Sequence, residues 1–187
     1  MAESLTRRQF TTAAAAIAAT GSFVRAAPDG AASPKPVRVG FVGVGGRGGG
    51  MLRYSLGIKG VRVPAVCDIN TARAGNAAKM VERAGQKRPE TYVKGDTDFK
   101  RMMDRDDLDA VYIATPWEWH VPMALYAMKR KQYVGVEVPC AITLDECWQL
   151  VKTSEETGTP CMMMENWSFR RDNLAVLNMI RKGLLGE

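Results

Sequence analysis

The chain has 187 residues, 46% of them hydrophobic, and a formal net charge of +6. This mild positive excess is spread along the chain rather than gathered into a stripe, so it gives no case for a nucleic-acid partner. The four cysteines form no C-x-x-C pair and the chain has a single histidine, so the sequence predicts no metal site. We interpret the cysteines as small hydrophobic residues.

Residues 1–26 are typical of an export signal. Arg7 and Arg8 are followed two positions on by an apolar residue, and an alanine-rich run over 11–21 leads to small residues near Ala26. The run is too short and too mildly hydrophobic to form a stable membrane span. We therefore predict a twin-arginine signal that is read by the export machinery and carries the folded chain to the periplasm. The alternatives are an ordinary leader or a disordered alanine-rich tail.

A proline- and glycine-containing linker over 27–36 precedes an apolar strand and a glycine-rich turn, G-V-G-G-R-G at 43–48. Gly43 permits the tight turn, Gly45 lets the backbone approach a pyrophosphate, and Gly48 lets the following helix pack against the strand. Asp68 ends a second strand at the spacing that suits a bond to an adenosine ribose. The pattern predicts a dinucleotide site, against the alternative of a glycine-rich loop that binds no nucleotide.

Apolar runs and amphipathic segments alternate along the rest of the chain. The expected helices cover 71–85, 120–131, 144–157 and 173–182, with Gly183 ending the last, and the expected strands cover 110–114, 133–137 and 160–165. This alternation predicts an α/β fold, a Rossmann-type doubly wound parallel sheet whose crossovers are right-handed. The strands lack polar alternation, so both faces of the sheet should be covered.

Unusual residues gather where the strands end, which is where ligands of such sheets bind. Each has a structural alternative, as a helix cap, a core side chain or a solvated strand end, but their coincidence favours a site. The candidates are Thr115, Pro116, Trp117, Glu118, Trp119 and His120 after one strand, Glu137 and Val138 after the next, and Asn166 after the last.

The glycine-rich turn, Asp68, the 114–116 triplet, His120 and the Glu137-x-Pro139 triplet together resemble the Gfo/Idh/MocA oxidoreductases over residues 36–187. Within that family, the segments 115–124, 137–139 and 163–166 are similar to the NAD-dependent glycosidases typified by α-N-acetylgalactosaminidase. The resemblance implies NAD as the cofactor and a small-molecule sugar or glycoside as the substrate.

By this resemblance the cofactor contacts fall on several predicted residues. Gly46 and Arg47 would meet the pyrophosphate, and Asp68 the adenosine ribose. Trp117 to His120 would lie beside the cofactor, while Glu137, Val138 and Asn166 would lie nearer the nicotinamide.

One departure from the dehydrogenases bears on the chemistry. Ordinary members carry a lysine that moves the hydroxyl proton where this chain has Val138, and valine cannot titrate. The glycosidase relatives share the change. Their mechanism, as the resemblance implies it, oxidises the sugar 3-hydroxyl, eliminates the glycosidic oxygen, adds water and returns the hydride, so NAD is recycled.

The resemblance also sets expectations for the domains. Residues 37–167 would form the NAD-binding domain, and 168–187 would begin the connection to an α+β substrate domain beyond Glu187, where the catalytic residues are expected. The chain alone should then hydrolyse no glycoside. The alternatives are a sugar oxidoreductase with a different base and a non-catalytic nucleotide-binding remnant, and a homo-oligomer is compatible with each.

Overall fold

The computed structural model describes residues 35–184 of the chain. The predicted export signal, most of the predicted linker and the last three residues lie outside the described residues. The strands are β1 Val37–Val42, β2 Val61–Cys67, β3 Glu90–Tyr92, β4 Ala110–Ile113, β5 Tyr133–Val136 and β6 Cys161–Met163. The helices are α1 Gly46–Leu56, α2 Thr71–Arg83, α3 Asp98–Met103, α4 His120–Lys129, α5 Leu144–Thr157 and α6 Arg171–Arg181.

The six strands form one parallel sheet in the order β3-β2-β1-β4-β5-β6. Gly40 of β1 lies opposite Ala65 on one side and Val111 on the other. The strand order reverses between β1 and β4, and a crevice opens at such a point beyond the carboxyl ends of the strands. The predicted Rossmann-type doubly wound sheet is therefore confirmed.

Both faces of the sheet are covered at its central strands, as the uniformly apolar strands predicted. On one face Phe41 and Val66 pack with Leu52 of α1. On the other, Ile113 packs with Met128 of α4 and with side chains of α3 and α5. Burial on both sides explains why these strands carry no polar alternation.

Two elements were missing from the sequence prediction, the three-residue strand β3 and the six-residue helix α3. Both are too short to show a hydrophobic period. Helix α5 begins and ends where it was predicted, because Thr143 and Glu146 form a capping box and Gly158 ends the helix at φ 63°. The last strand is shorter than predicted, and α6 begins two residues earlier.

The β6 edge of the sheet is open. Met162 and Met163 are about half exposed, and none of the residues in α6 is buried. The 3₁₀ turn before this helix also exposes Trp167 and Phe169. Among residues 35–184, no helix combines the length and apolar character needed to cross a membrane.

Candidate functional site

The glycine-rich turn packs against the ends of β4 and β2 without room for side chains at two positions. Gly43 has φ +77°, and a Cβ there would lie 2.5 Å from the carbonyl oxygen of Ala114. A Cβ on Gly48 would lie 1.8 Å from the carbonyl oxygen of Gly43. A Cβ on Gly46 would meet nothing within 4 Å, so this side of the turn is open to a ligand. The geometry fits the roles that the spacing predicted for the first and last glycine.

Asp68 is bound to the turn through its own carboxylate. Its Oδ2 accepts a 2.9 Å hydrogen bond from the Val44 amide, and its Oδ1 accepts one of 2.8 Å from the Asn70 amide. The residue is 7% exposed and lines the crevice. The Arg73 guanidinium lies 3.5 Å from where a Cβ on Gly45 would stand. An acid and a cation therefore flank the same end of the crevice.

The crevice is a cleft of about 350 Å³. Of the cofactor-binding residues predicted from the sequence, it is lined by Gly43, Gly45, Gly46, Asp68, Thr115, Pro116 and Trp119. The sequence reasoning missed Gly95, Asp96 and Met123, which also line the cleft, as does Arg73, which lies five residues after Asp68. Gly95 and Asp96 follow β3, so they were overlooked together with that strand.

The remaining predicted residues lie outside the cleft lining. Gly48 packs beneath the turn, and Trp117, Glu118 and Val138 are exposed at the ends of β4 and β5. His120 is only 1% exposed, with Nε2 2.9 Å from the Thr115 carbonyl oxygen and Nδ1 2.7 Å from that of Pro139. The histidine thus joins the loop after β4 to the loop after β5.

Arg47, Glu137 and Asn166 form a second group at this edge. The Arg47 Nε donates a 2.6 Å hydrogen bond to Glu137 Oε1, and its Nη2 donates one of 3.2 Å to Asn166 Oδ1. The Tyr112 hydroxyl donates to the same Glu137 oxygen. Side chains from α1, β4 and the ends of β5 and β6 thereby meet in one network.

The network fixes the protonation states of two of its donors. Burial and the bond to Glu137 raise the pKa of Tyr112, so its hydroxyl stays protonated and donates. The Glu137 hydrogen bond raises the pKa of Arg47, which is a permanent cation. The side chain of Glu137 is 10% exposed and that of Arg47 is 46% exposed, so the carboxylate is shielded while its cation still faces solvent.

The cysteines near the site differ in character. Cys67 lines the cleft, and burial raises its pKa to about 12, so it stays a neutral thiol. The neighbouring Cys161 lowers the pKa of the Cys140 thiol. Within residues 35–184, histidine, cysteine and acidic side chains form no cluster of three that could bind a metal ion.

The turn, cleft and acid together fit a dinucleotide. Gly46 lies on the open side of the turn and lines the cleft, and Asp68 follows β2 at the same cleft. The amides at the start of α1 would face an anion that bound beside Gly46. The model of the Gfo/Idh/MocA oxidoreductase family, which describes an NAD-binding Rossmann fold, matches residues 37–165.

Curated relatives with similar sequences carry glycosidase names. A glycosyl hydrolase family 109 protein of Saccharopolyspora erythraea is 47% identical over 151 residues, which are 81% of this chain and 33% of that protein. The α-N-acetylgalactosaminidase of Shewanella oneidensis is 39% identical, with 97% of this chain matched to 44% of the enzyme. The chain therefore spans well under half the length of these relatives.

Solved structures with a similar fold include inositol dehydrogenases. Myo-inositol 2-dehydrogenase of Lactobacillus plantarum has a TM-score of 0.70 at 22% identity, covering 82% of this chain and 43% of that one. Scyllo-inositol dehydrogenase of Lactobacillus casei with bound NAD(H) and scyllo-inositol has a TM-score of 0.68 at 19% identity, again covering 82% and 43%. At these identities the likeness concerns the fold.

Proposed function

Because the chain belongs to the Gfo/Idh/MocA oxidoreductase family and carries its NAD-binding Rossmann fold, we propose that it forms the NAD-binding part of a glycosidase. The proposed substrate is an α-N-acetylgalactosaminide. NAD held at the glycine-rich turn and Asp68 would supply a reversible hydride store, so that the glycoside could be cleaved with no net oxidation. The observation that carries this proposal is Val138, which stands beside Glu137 in place of the titratable lysine of the dehydrogenases.

The described residues have separate tasks in this proposal. The turn at Gly43–Gly48 and the start of α1 would hold the pyrophosphate, and Asp68 would accept a bond from the adenosine ribose. Glu137 is shielded and held by Tyr112 and Arg47, so it would orient ligand hydroxyls rather than act as a proton shuttle. The proton transfers would fall to residues outside the described part.

A chimaera tests the proposal directly. Residues 37–184 of this chain would replace the matching part of the Shewanella oneidensis α-N-acetylgalactosaminidase. We expect the chimaera to release p-nitrophenol from p-nitrophenyl α-N-acetylgalactosaminide while the NADH absorbance at the end of the reaction is unchanged. A Gly48→Ala chimaera is the matched control, because the clash at the turn should abolish release.

A second candidate function is a sugar oxidoreductase with a base from another position, which the match to the Gfo/Idh/MocA oxidoreductase family favours. NADH formed in proportion to the sugar consumed would replace the glycosidase proposal with this one. A folded chimaera that binds NAD but produces neither p-nitrophenol nor NADH would contradict both.

We further propose that the chain is exported to the periplasm through a twin-arginine signal, which Arg7 and Arg8 support. Replacing both by lysine should leave the fold unchanged and abolish export from a bacterial host. Cell fractionation measures the outcome, and undiminished periplasmic protein from the double variant would contradict the proposal.

A further inference from the structure

Arg47 faces two competing demands. It is the second residue of α1, inside the glycine-rich turn, where a bound pyrophosphate needs positive charge. Its guanidinium nevertheless reaches to the ends of β5 and β6, where it is shared by Glu137 and Asn166.

Glu137 depends on this cation. Among the residues that the structure describes, Arg47 is its only ion-pair partner, because the other hydrogen bond comes from the neutral Tyr112 hydroxyl. A shielded carboxylate is costly without its cation, so moving Arg47 away from Glu137 carries a cost that a fully exposed pair would not.

The anion site also depends on Arg47. The first turn of α1 contains no acidic residue, and Arg47 is its only charged residue. A Cβ on Gly46 would meet no atom within 4 Å, so an anion can approach the backbone directly beside this arginine. The Arg47 backbone adjoins this open side of the turn at Gly46, while its guanidinium contacts Glu137.

We propose that Arg47 is a positioning residue that couples the anion site at the turn to Glu137. An anion at the turn draws the guanidinium away from Glu137, and Glu137 in return weakens anion binding, as linkage requires. Glu137, still held by Tyr112, then accepts a hydrogen bond from a ligand hydroxyl only after the anion is bound. The proposal concerns cofactor binding and does not depend on glycoside chemistry.

ADP is the sharpest probe, because it carries the adenosine and the pyrophosphate but nothing that could touch Glu137 at the nicotinamide end. We expect Glu137→Gln to tighten ADP binding in calorimetry by roughly 3- to 10-fold, since a coupled, partly shielded ion pair is lost. Asn166→Ala, which changes no charge, should tighten it by a smaller factor because it frees the other side of the guanidinium.

A double-mutant cycle separates this coupling from a general charge effect. In an Arg47→Gln background, ADP should bind more weakly, and Glu137→Gln should then change its affinity by less than about twofold. Unchanged or weaker ADP binding by Glu137→Gln, or equal tightening in the Arg47→Gln background, would overturn the proposal. If either charged-site variant fails to show a cooperative thermal transition, Asn166→Ala decides alone, because Asn166 is exposed.

Discussion

Gly48 and Gly50 lie two residues apart on α1 and have opposite surroundings. A Cβ at Gly48 would strike the backbone of Gly43, which cannot move aside, whereas a Cβ at Gly50 meets nothing within 4 Å. We expect Gly48→Ala to lower the free energy of unfolding by about 3 kcal/mol, and Gly50→Ala to raise it by about 0.5–1 kcal/mol through the lost flexibility of the unfolded chain. Urea unfolding measures both, and equal stabilities would contradict the close packing of the turn.

Asp68 and Arg73 have opposite effects on the preference for NAD over NADP. A 2′-phosphate beside the Asp68 carboxylate meets like charge, while the Arg73 guanidinium at the same end of the cleft attracts it. Because Asp68 is fixed by two backbone amides, we expect its effect to dominate and NAD to bind about tenfold more tightly than NADP, a difference of about 1.4 kcal/mol.

Calorimetry with Arg73→Ala tests this balance. The variant should lose more affinity for NADP than for NAD, which widens the gap. Arg53→Ala on the exposed side of α1 is the control, since it removes the same charge outside the cleft lining. NADP binding as tight as NAD by the unchanged chain would show that Asp68 does not select the cofactor.

The local parts of the site could be predicted from the sequence, and the distant contacts could not. Gly43 was recognised from the glycine spacing around it, and Asp68 from the apolar strand that it follows. Each signal lies within a few neighbouring residues. The bond between Arg47 and Glu137 joins residues 90 positions apart, and no spacing rule connects them. For His120, the sequence indicated a place beside the cofactor, but the burial of its ring between two carbonyl groups depends on how two loops fold together.

The length of each strand or helix determined whether it could be predicted from the sequence. Strands β1 and β4 and helix α5 carry enough apolar or capping residues to be recognised locally. Strand β3 forms because Glu90 pairs with Ala65 of β2. This is a tertiary contact, which the local sequence does not reveal. Helix α3 is held at its first residue by the Asp98 carboxylate, which accepts from the Lys94 amide and from Arg101.

Asp98 makes helix α3 sensitive to acid. The hydrogen bonds from Arg101 lower the pKa of Asp98 below its unfolded value of about 3.9. A depressed folded-state pKa contributes stability that is present above the unfolded value and is lost as the pH falls through the folded one. We expect Asp98→Asn to cost about 1–2 kcal/mol at pH 7 and progressively less as the pH falls below about 3.9.

Urea unfolding across this pH range provides the test of Asp98. Asp106→Asn is the matched control, because the exposed Asp106 makes no ion pair with any residue that the structure describes. A cost for Asp98→Asn that does not change between pH 7 and pH 2 would mean that its hydrogen bonds do not need the charge.

At the scale of the whole molecule, stability should be uneven. Strands β1 and β4 lie in the centre of the sheet and are buried on both faces, whereas α6 buries none of its residues. We expect amides of α6 to exchange with deuterium within seconds and those of β1 and β4 over hours, because exchange follows local opening. Mass spectrometry of peptic peptides would detect the difference, and slow exchange throughout 171–181 would indicate that α6 is covered in solution.

The bond between Asp68 and the Val44 amide has a kinetic consequence. It holds the glycine-rich turn against the end of β2 before any ligand arrives, so binding requires no rearrangement of the backbone there. Sites that are already formed in the free protein show similar association rates for related ligands, and their affinities differ through dissociation. NAD, NADP and ADP should therefore enter this cleft at similar speeds and differ in how long they stay.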